Sequence, residues 1–167
     1  ANVLATVGSD NTVKVWDIEA QAEIFNIDTS DTPFSIDWNS DGSLMAMTTK
    51  DKQLHILDPR QAAGIQSVEA VKGSKQSSVK WVDNHGKISV VGFGKTSTRT
   101  VALWDPKMMD KAVTKLDIDQ SAGVLIQHYD PDNSILYMGG KGDGGIKYFE
   151  ITDDEEGMYF LSEFRTN

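Results

Sequence analysis

Two glycine-rich stretches have residue types that could hold a phosphate. Gly140-Lys141-Gly142-Asp143-Gly144-Gly145 satisfies G-x-G-x-x-G, and Gly94-Lys95-Thr96 resembles the end of a P-loop. Both kinds of phosphate site need a helix directly afterwards, because the N–H groups at its amino end bind the phosphate oxygens. A strand pattern follows each stretch, and position 89, where a P-loop has glycine, is serine. We therefore interpret the 140–145 glycines as a hairpin turn and predict no nucleotide site.

Other side chains that could perform chemistry stand alone. The histidines His55, His85 and His128 lack the spacing of a zinc site, and the chain has no cysteine. Asp130 and Asp132 lie in a predicted hairpin turn, where aspartate is favoured by its bonds to the local backbone. No nucleophile has the sequence context of an elbow or a triad. The sequence predicts no enzyme activity, no cofactor and no metal site.

The elements around these residues are short strands. An apolar run, Val3 to Val7, leads into the polar turn Ser9 to Thr12, and a second strand with alternating side chains ends at Trp16-Asp17. Alternation with a period of two is typical of a strand with one buried face. The polar turn is rich in residues whose side chains bond to their own backbone. This stretch predicts a β-hairpin.

The hairpin is repeated along the chain. Turn positions Asp10, Asp51, Thr98 and Asp143 are separated by 41, 47 and 45 residues, and each is followed six residues later by Trp, Leu or Phe and then an acidic residue. A period of about 40–45 residues ending in Trp-Asp is typical of the WD40 β-propeller repeat. A second marker, such as Ser35-Ile36-Asp37-Trp38, precedes the turn in three of the repeats.

The predicted fold is all-β, because fifteen short strand-like segments alternate with turn residues and no helical period is present. We divide the chain into repeats at residues 1–18, 19–58, 59–105 and 106–151, with a final strand at 159–164. It begins within a repeat and contains about three and three-quarter blades, so we expect an open arc of a larger propeller. A closed four-bladed ring is the alternative.

In WD40 repeats the turn aspartate belongs to a hydrogen-bonded set that includes the tryptophan of the third strand. The resemblance implies structural roles for seven positions, although threonine replaces the turn aspartate at position 98. We expect the aromatic members Trp16, Trp104 and Phe149 to be buried between blades. The seven positions are Thr6, Asp10, Trp16, Asp51, Trp104, Asp143 and Phe149.

A narrower resemblance covers the chain in order. The stretches 130–133, 137–143 and 146–151 resemble the coronin family, as do 91–94 and 101–106. The resemblance implies the middle repeats of a seven-bladed WD40 propeller, in a cytoplasmic protein of the actin cytoskeleton. It implies binding to filamentous actin, partnership with the Arp2/3 complex and cofilin, and oligomerisation through a coiled coil elsewhere in the protein. A generic WD40 scaffold for another protein complex is the alternative.

Charge is distributed unevenly. The net charge is −9, yet residues 50–115 hold 12 Lys or Arg against 6 Asp or Glu, and the other residues hold 4 against 19. The acidic balance argues against a nucleic-acid binder, whose affinity comes mainly from neutralising phosphates. No apolar run approaches the ~20 residues of a membrane span, and the absence of cysteine fits a reducing compartment. We expect a cytoplasmic protein.

The predicted loops separate the charges onto two faces. In a propeller, the loops between second and third strands emerge beside the loops that join blades. Acidic residues, including the run 153–156, fall on the opposite face, where a solvated loop and an acidic docking element are the two interpretations of that run. Because actin is acidic, we expect the basic face to contact it, unless these side chains only keep the surface soluble. The candidate contacts are Lys50, Lys52, Lys72, Lys75, Lys95 and Arg99, with Lys141 nearby.

Overall fold

The structure is a computed structural model that describes residues 2–61 and 63–165, without the side chain of Ala63. Within this part the regular elements are fifteen β-strands and one 3-10 turn, Asp83–His85. The strands form four antiparallel sheets. The all-β prediction is therefore confirmed, and the described residues contain as many strands as the fifteen strand-like segments predicted from the sequence.

Sheet I contains three strands and sheets II to IV contain four each, always in chain order. Sheet I consists of β1 (Val3–Val7), β2 (Thr12–Asp17) and β3 (Ala22–Asp28). Sheet II consists of β4 (Pro33–Trp38), β5 (Met45–Thr49), β6 (Gln53–Asp58) and β7 (Ala63–Glu69). Sheet III consists of β8 (Ser78–Val82), β9 (Lys87–Phe93), β10 (Arg99–Trp104) and β11 (Thr114–Asp119). Sheet IV consists of β12 (Leu125–Asp130), β13 (Ile135–Gly140), β14 (Gly145–Ile151) and β15 (Met158–Arg165).

The four sheets are arranged as consecutive propeller blades. The first strands of sheets II, III and IV pack side by side, β4 against β8 and β8 against β12, so they line a common axis. Side chains satisfy backbone groups between these inner strands: Asp37 accepts from the N–H of Trp81 at 2.8 Å. Three four-stranded blades and one three-stranded blade confirm the predicted partial propeller. The repeat limits, which follow sequence periodicity rather than blades, stay a prediction.

The core lies between the sheets, because each strand presents alternate side chains to the two neighbouring blades. Val13 and Val15 of sheet I pack against Met45 and Met47 of sheet II. A second cluster joins sheets II and III, and a third joins sheets III and IV. The residues of every sheet thus contribute to one continuous series of apolar interfaces.

Trp16 departs from its predicted burial. Trp104 and Phe149 are 5% and 4% exposed and face the preceding sheet, but Trp16 is only half-buried. Sheet I is the first sheet of the described residues, and none of them forms a sheet against the face that carries Trp16. Leu4, which lies opposite Trp16 in the strand pair, is 50% exposed for the same reason. The prediction of burial is wrong for Trp16 and correct for the other two.

The two tryptophans also differ in their hydrogen bonds. The Trp16 Nε1–H donates to Thr6 Oγ1 at 2.9 Å, whereas the buried Trp104 Nε1–H has no partner among the described residues. In sheet I, Thr6 lies opposite Lys14, and Lys14 is two residues before Trp16. In sheet III, Ala102 is two residues before Trp104 and lies opposite Val90, so Val90 occupies the position of Thr6. Sheet III therefore has an apolar side chain where sheet I has the acceptor.

Replacing Val90 by threonine should supply that acceptor with little change in volume. We expect the free energy of unfolding to stay level or to rise by about 1 kcal/mol, the net value of a hydrogen bond. Val91→Thr is the control, because Val91 is equally buried on the opposite face, and a hydroxyl without a partner should cost about 1–3 kcal/mol there. Urea unfolding measures both, and equal destabilisation of the two variants would contradict the assignment.

Candidate functional site

Antiparallel connectivity places alternate loops at opposite ends of the blades. One end, named the loop face here, carries the loops 8–11, 50–52, 94–98 and 141–144 within sheets and the loops 29–32, 70–77 and 120–124 between sheets. Lys50, Lys52, Lys72, Lys75, Lys95 and Lys141 all belong to these loops. The other end carries the acidic turns at 39–44, 131–134 and 152–157. The two ends therefore differ in charge.

Four of the lysines are brought together from three loops. Lys72 Nζ donates to Glu69 Oε2 at 2.7 Å, and this bond holds the pKa of the Glu69 carboxyl below its ordinary value. The Ala70 N–H donates to the Lys52 carbonyl at 3.0 Å and the Gly73 N–H donates to the Phe93 carbonyl at 2.7 Å, which places the loops of Lys52 and Lys95 beside the loop of Lys72. The charges of Lys52 and Lys95 lower the pKa of the Glu69 carboxyl further. Lys75 Nζ lies 4.6 Å from the centre of the Phe93 ring. We name Lys52, Lys72, Lys75 and Lys95 the lysine patch; Lys50 is exposed beside Lys52 in the same loop.

The loop that carries Lys72 and Lys75 is anchored to sheet III. The Gly73 N–H donates to the carbonyl of Phe93 at 2.7 Å, and a Cβ on Gly73 would lie 2.7 Å from the Phe93 Cβ. Val71 and Ser77 are buried at the two ends of the loop. Only glycine permits this close approach, which holds the patch lysines at the boundary between sheets II and III.

Arg99 does not belong to this exposed surface. Its side chain is 1% exposed, and its guanidinium donates to the two Asp119 carboxylate oxygens at 2.5 and 2.6 Å. Its Nη2 also lies 2.6 Å from Asp143 Oδ2. Arg99 is the first residue of β10 and points toward sheet IV, so its charge is neutralised inside the blade interface. The expectation that Arg99 contacts a partner is therefore wrong.

Lysine and glutamate extend this group around the buried Arg99, and its other members are 21–27% exposed. We name it the arginine cluster: Arg99, Asp119, Asp143, Lys147 and Glu163. Lys147 Nζ lies 3.0 Å from Asp119 Oδ2 and 3.5 Å from Glu163 Oε1. The hydrogen bond from Arg99, followed by that from Lys147, holds the pKa of the Asp119 carboxyl well below its usual range. The cluster joins β10 and β11 of sheet III to the β13–β14 turn and to β14 and β15 of sheet IV.

The arginine cluster explains the glycines that resemble a nucleotide motif. A Cβ on Gly140 would overlap the Arg99 guanidinium, and one on Gly145 would lie 2.7 Å from Glu163 Oε1. Gly142 has φ +85°, a conformation that other residues rarely adopt. A strand, β14, follows. The segment is the predicted hairpin turn, and two further glycines leave room for the charged side chains of the arginine cluster.

The turn aspartates contact the loops between sheets. Asp51 Oδ2 accepts from Ser30 Oγ at 2.7 Å, and Asp143 Oδ1 accepts from Ser121 Oγ at 3.1 Å. The same hydrogen bond between turn and loop thus occurs in two repeats. In the first repeat, Asp10 is exposed and its carboxylate has no partner among the described residues.

A hydrogen-bonded clamp at the acidic end has no counterpart in the sequence analysis. His85 contacts Asp153 Oδ1 through Nδ1 at 2.8 Å and Ser134 Oγ through Nε2 at 3.0 Å. This is the order of a nucleophilic triad, but Asn84 Nδ2 also donates to Ser134 Oγ at 3.1 Å and to the carbonyl of Pro131. The contacts join sheets III and IV, and we assign them a structural role. Their sequence separations of 49 and 68 residues left no local signal.

Metal-binding and membrane-spanning features concern the described ranges 2–61 and 63–165. There, no group of three or more His, Cys, Asp or Glu side chains could hold a metal ion. Likewise, none of the elements described is a helix with the length and apolar character needed to cross a membrane.

Curated relatives are coronins. No protein-family model matches the chain. Human Coronin-2A is 34% identical over 172 residues, which cover 99% of this chain and 33% of that protein. A coronin-like protein of Saccharomyces cerevisiae is 35% identical over 99% of this chain and 25% of its own length, and Coronin-A of Dictyostelium discoideum is 39% identical over 82% and 30%. The chain spans about a quarter to a third of these relatives.

Solved structures agree. The WD40 domain of Toxoplasma gondii coronin superposes with a TM-score of 0.93 at 31% identity, over 99% of this chain and 43% of that chain. A chain of a mitotic checkpoint complex superposes with a TM-score of 0.77 at 15% identity, which shows the fold alone. In sequence and in blade geometry, the chain is a coronin-type segment of a WD40 β-propeller.

Proposed function

We propose that this chain is a non-catalytic cytoskeletal interaction module of coronin type, and that it binds filamentous actin through the lysine patch. The similarity to coronins over nearly the whole chain supports the class of function. The position of the lysines supports the surface: they converge from two sheets on a face that carries no catalytic arrangement. An acidic filament is the partner that this charge would favour.

The observation that carries the proposal is the convergence around Glu69. Three lysines, Lys52, Lys72 and Lys95, act on this one carboxylate, and Lys75 lies over the nearby Phe93 ring, so most of the positive charge is available to a partner. Opposite charge on two surfaces raises the rate of encounter, and salt weakens this effect by screening. Lysines that only kept the surface soluble would have no reason to converge from three loops. The anchoring of Gly73 holds the backbone next to Lys72 at the boundary between sheets II and III before binding.

Reversing three patch charges should weaken filament binding. In the full-length protein, Lys72→Glu, Lys75→Glu and Lys95→Glu together should lower the affinity at low salt by at least about tenfold, because attraction becomes repulsion. Arg99 is left out because it is buried. Cosedimentation with filaments across a salt series measures the effect, which should diminish as salt rises.

The control reverses the same number of charges at the other end of the blades. Lys107, Lys111 and Lys115 are exposed and lie in or beside the loop between β10 and β11. Their replacement by glutamate should leave the affinity within about twofold, since the charges are remote from the patch. Equal losses in the two triple variants would assign the effect to net charge and remove the patch from consideration.

A generic WD40 scaffold is the second candidate, because one fold can host many unrelated functions. It predicts that the full-length protein fails to sediment with filaments at any salt concentration. The coronin similarity favours the first candidate, and with it partnership with the Arp2/3 complex and cofilin, a cytoplasmic location at the actin cytoskeleton, and oligomerisation through a coiled coil elsewhere in the protein. Each of these is part of the proposal.

A further inference from the structure

Ser74 lies at the exposed apex of the loop that carries half of the lysine patch. Residues 70–77 form the longest connection between sheets, longer than residues 29–32 or 120–124. Lys72 precedes Ser74 by two positions, and Lys75 follows it directly. Among the described residues, the Ser74 hydroxyl has no hydrogen-bond partner. Ser74 is thus an accessible hydroxyl between two lysines.

The other serines of the loop face differ from it in a specific way. The hydroxyls of Ser30 and Ser121 donate hydrogen bonds to the carboxylates of Asp51 and Asp143. Ser9 is exposed but is followed by Asp10. The negative charge of Asp10 disfavours binding to an enzyme cleft that selects basic residues beside the serine. Ser97 is held at φ +61° in a turn closed by its own N–H to the carbonyl of Gly94, and it cannot extend without breaking this turn.

The backbone around Ser74 is suited to enter an enzyme cleft. The anchor of the loop is the Gly73 N–H, before the serine, and the next buried residue is Ser77. The N–H groups of residues 74–76 make no backbone hydrogen bond in the described structure. These residues can therefore extend without disturbing a strand.

We propose that Ser74 is a phosphorylation site for a serine/threonine kinase with an acidic substrate cleft, and that the phosphate switches off the lysine patch. The Ser74 Oγ attacks the γ-phosphorus of MgATP, the bond to the β–γ bridging oxygen breaks, ADP leaves, and the hydroxyl proton passes to the kinase's base. Lysines at positions −2 and +1 provide the recognition charge. The switching half rests on the proposed function of the patch.

Charge explains the switch. Four patch lysines and the Glu69 carboxylate have a net charge of +3. A phosphoserine adds about −1.5 to −2 at neutral pH, so the patch would retain only about +1. The new dianion also offers Lys72 and Lys75 a closer partner than an incoming filament. Attraction toward an acidic surface would fall accordingly.

The site itself is tested on the unmodified full-length protein. It is incubated with MgATP and the catalytic domain of a kinase selective for basic substrates, and phosphorylated residues are mapped by mass spectrometry. We expect phosphate at Ser74. Most of the phosphate incorporation should be lost in Ser74→Ala and retained in Ser9→Ala and Ser97→Ala. Phosphate on Ser9 or Ser97 with Ser74 unmodified, or unchanged incorporation in Ser74→Ala, would overturn the assignment.

The switch is tested by cosedimentation of protein carrying phosphoserine at position 74. We expect binding to filaments to weaken about fivefold to tenfold at low salt and the difference to fade at high salt. If the phosphorylated and unmodified proteins bind equally well, the switch is wrong and the proposed function stands. If the unmodified protein does not bind, the proposed function fails and the switch with it, whereas the mapping still decides the phosphorylation site.

Discussion

Replacing Arg99 by methionine is expected to lower the free energy of unfolding by about 3–5 kcal/mol, the cost of removing one partner from a buried ion pair. Methionine keeps much of the side-chain volume, so the loss reports charge rather than a cavity. Asp119 and Asp143 would both face the vacated position without their cation. Urea unfolding of the full-length protein, followed by a probe within this propeller, measures the change.

Lys147→Met is the matched control, because Lys147 belongs to the same cluster but is 21% exposed. We expect it to cost about 1 kcal/mol, as for a partly solvated pair.

The folded-state pKa of Asp119 is depressed. The ionised Asp119 carboxylate therefore contributes fully to the free energy of unfolding at pH values above its ordinary pKa of about 3.9, and this contribution is lost progressively as the pH falls below that value. The difference in stability between wild type and Arg99→Met should therefore shrink in acid. A loss below about 1 kcal/mol for Arg99→Met at neutral pH would contradict the stabilising role assigned to Arg99 in the arginine cluster.

Replacing Trp104 by alanine should cost about 3–5 kcal/mol, as for other large-to-small changes in a core. Trp104 packs between sheets II and III beside Ile56 and Trp81. Trp104→Phe should cost only about 1–2 kcal/mol, because the ring still fills much of the space and the lost Nε1–H had no partner. The same unfolding experiment compares the two variants. A loss below about 1 kcal/mol in the alanine variant would mean that this strand faces the other way.

The blade pattern could be predicted from sequence because it is local. Each strand is indicated by alternating side chains over five to eight residues, and each hairpin is indicated by turn residues such as those at 140–145. The repeat of these signals, with Trp16 and Trp104 in equivalent positions, sufficed to predict a partial propeller. The distribution of loops to two ends then followed from connectivity alone, which is why the lysines were assigned to one face.

What the sequence could not predict depends on contacts between blades. Arg99 sits at a turn among other basic residues, and nothing near it indicates that its partners are Asp119 and Asp143, 20 and 44 residues away. The half-buried state of Trp16 likewise depends on the absence of a covering sheet among the described residues. Charge pairing and burial at an interface are set by the neighbouring blade.

The loop face illustrates an intermediate case. Its lysines were identified from topology, but their convergence required the anchor between Gly73 and Phe93 and the shared carboxylate of Glu69. A glycine within a polar loop predicts only flexibility, whereas here it permits a close contact that restrains the loop. The patch is therefore a tertiary feature built from residues that look ordinary in sequence.

The most direct test of the central claim is zero-length crosslinking of the full-length protein to actin filaments with a carbodiimide, which joins an amine to a carboxylate only where the two are in contact. The account predicts crosslinks from Lys72, Lys75 and Lys95 to carboxylates of actin. Crosslinks formed instead between actin lysines and the acidic end, at residues 130–132 or 153–156, with the patch lysines unmodified, would contradict it.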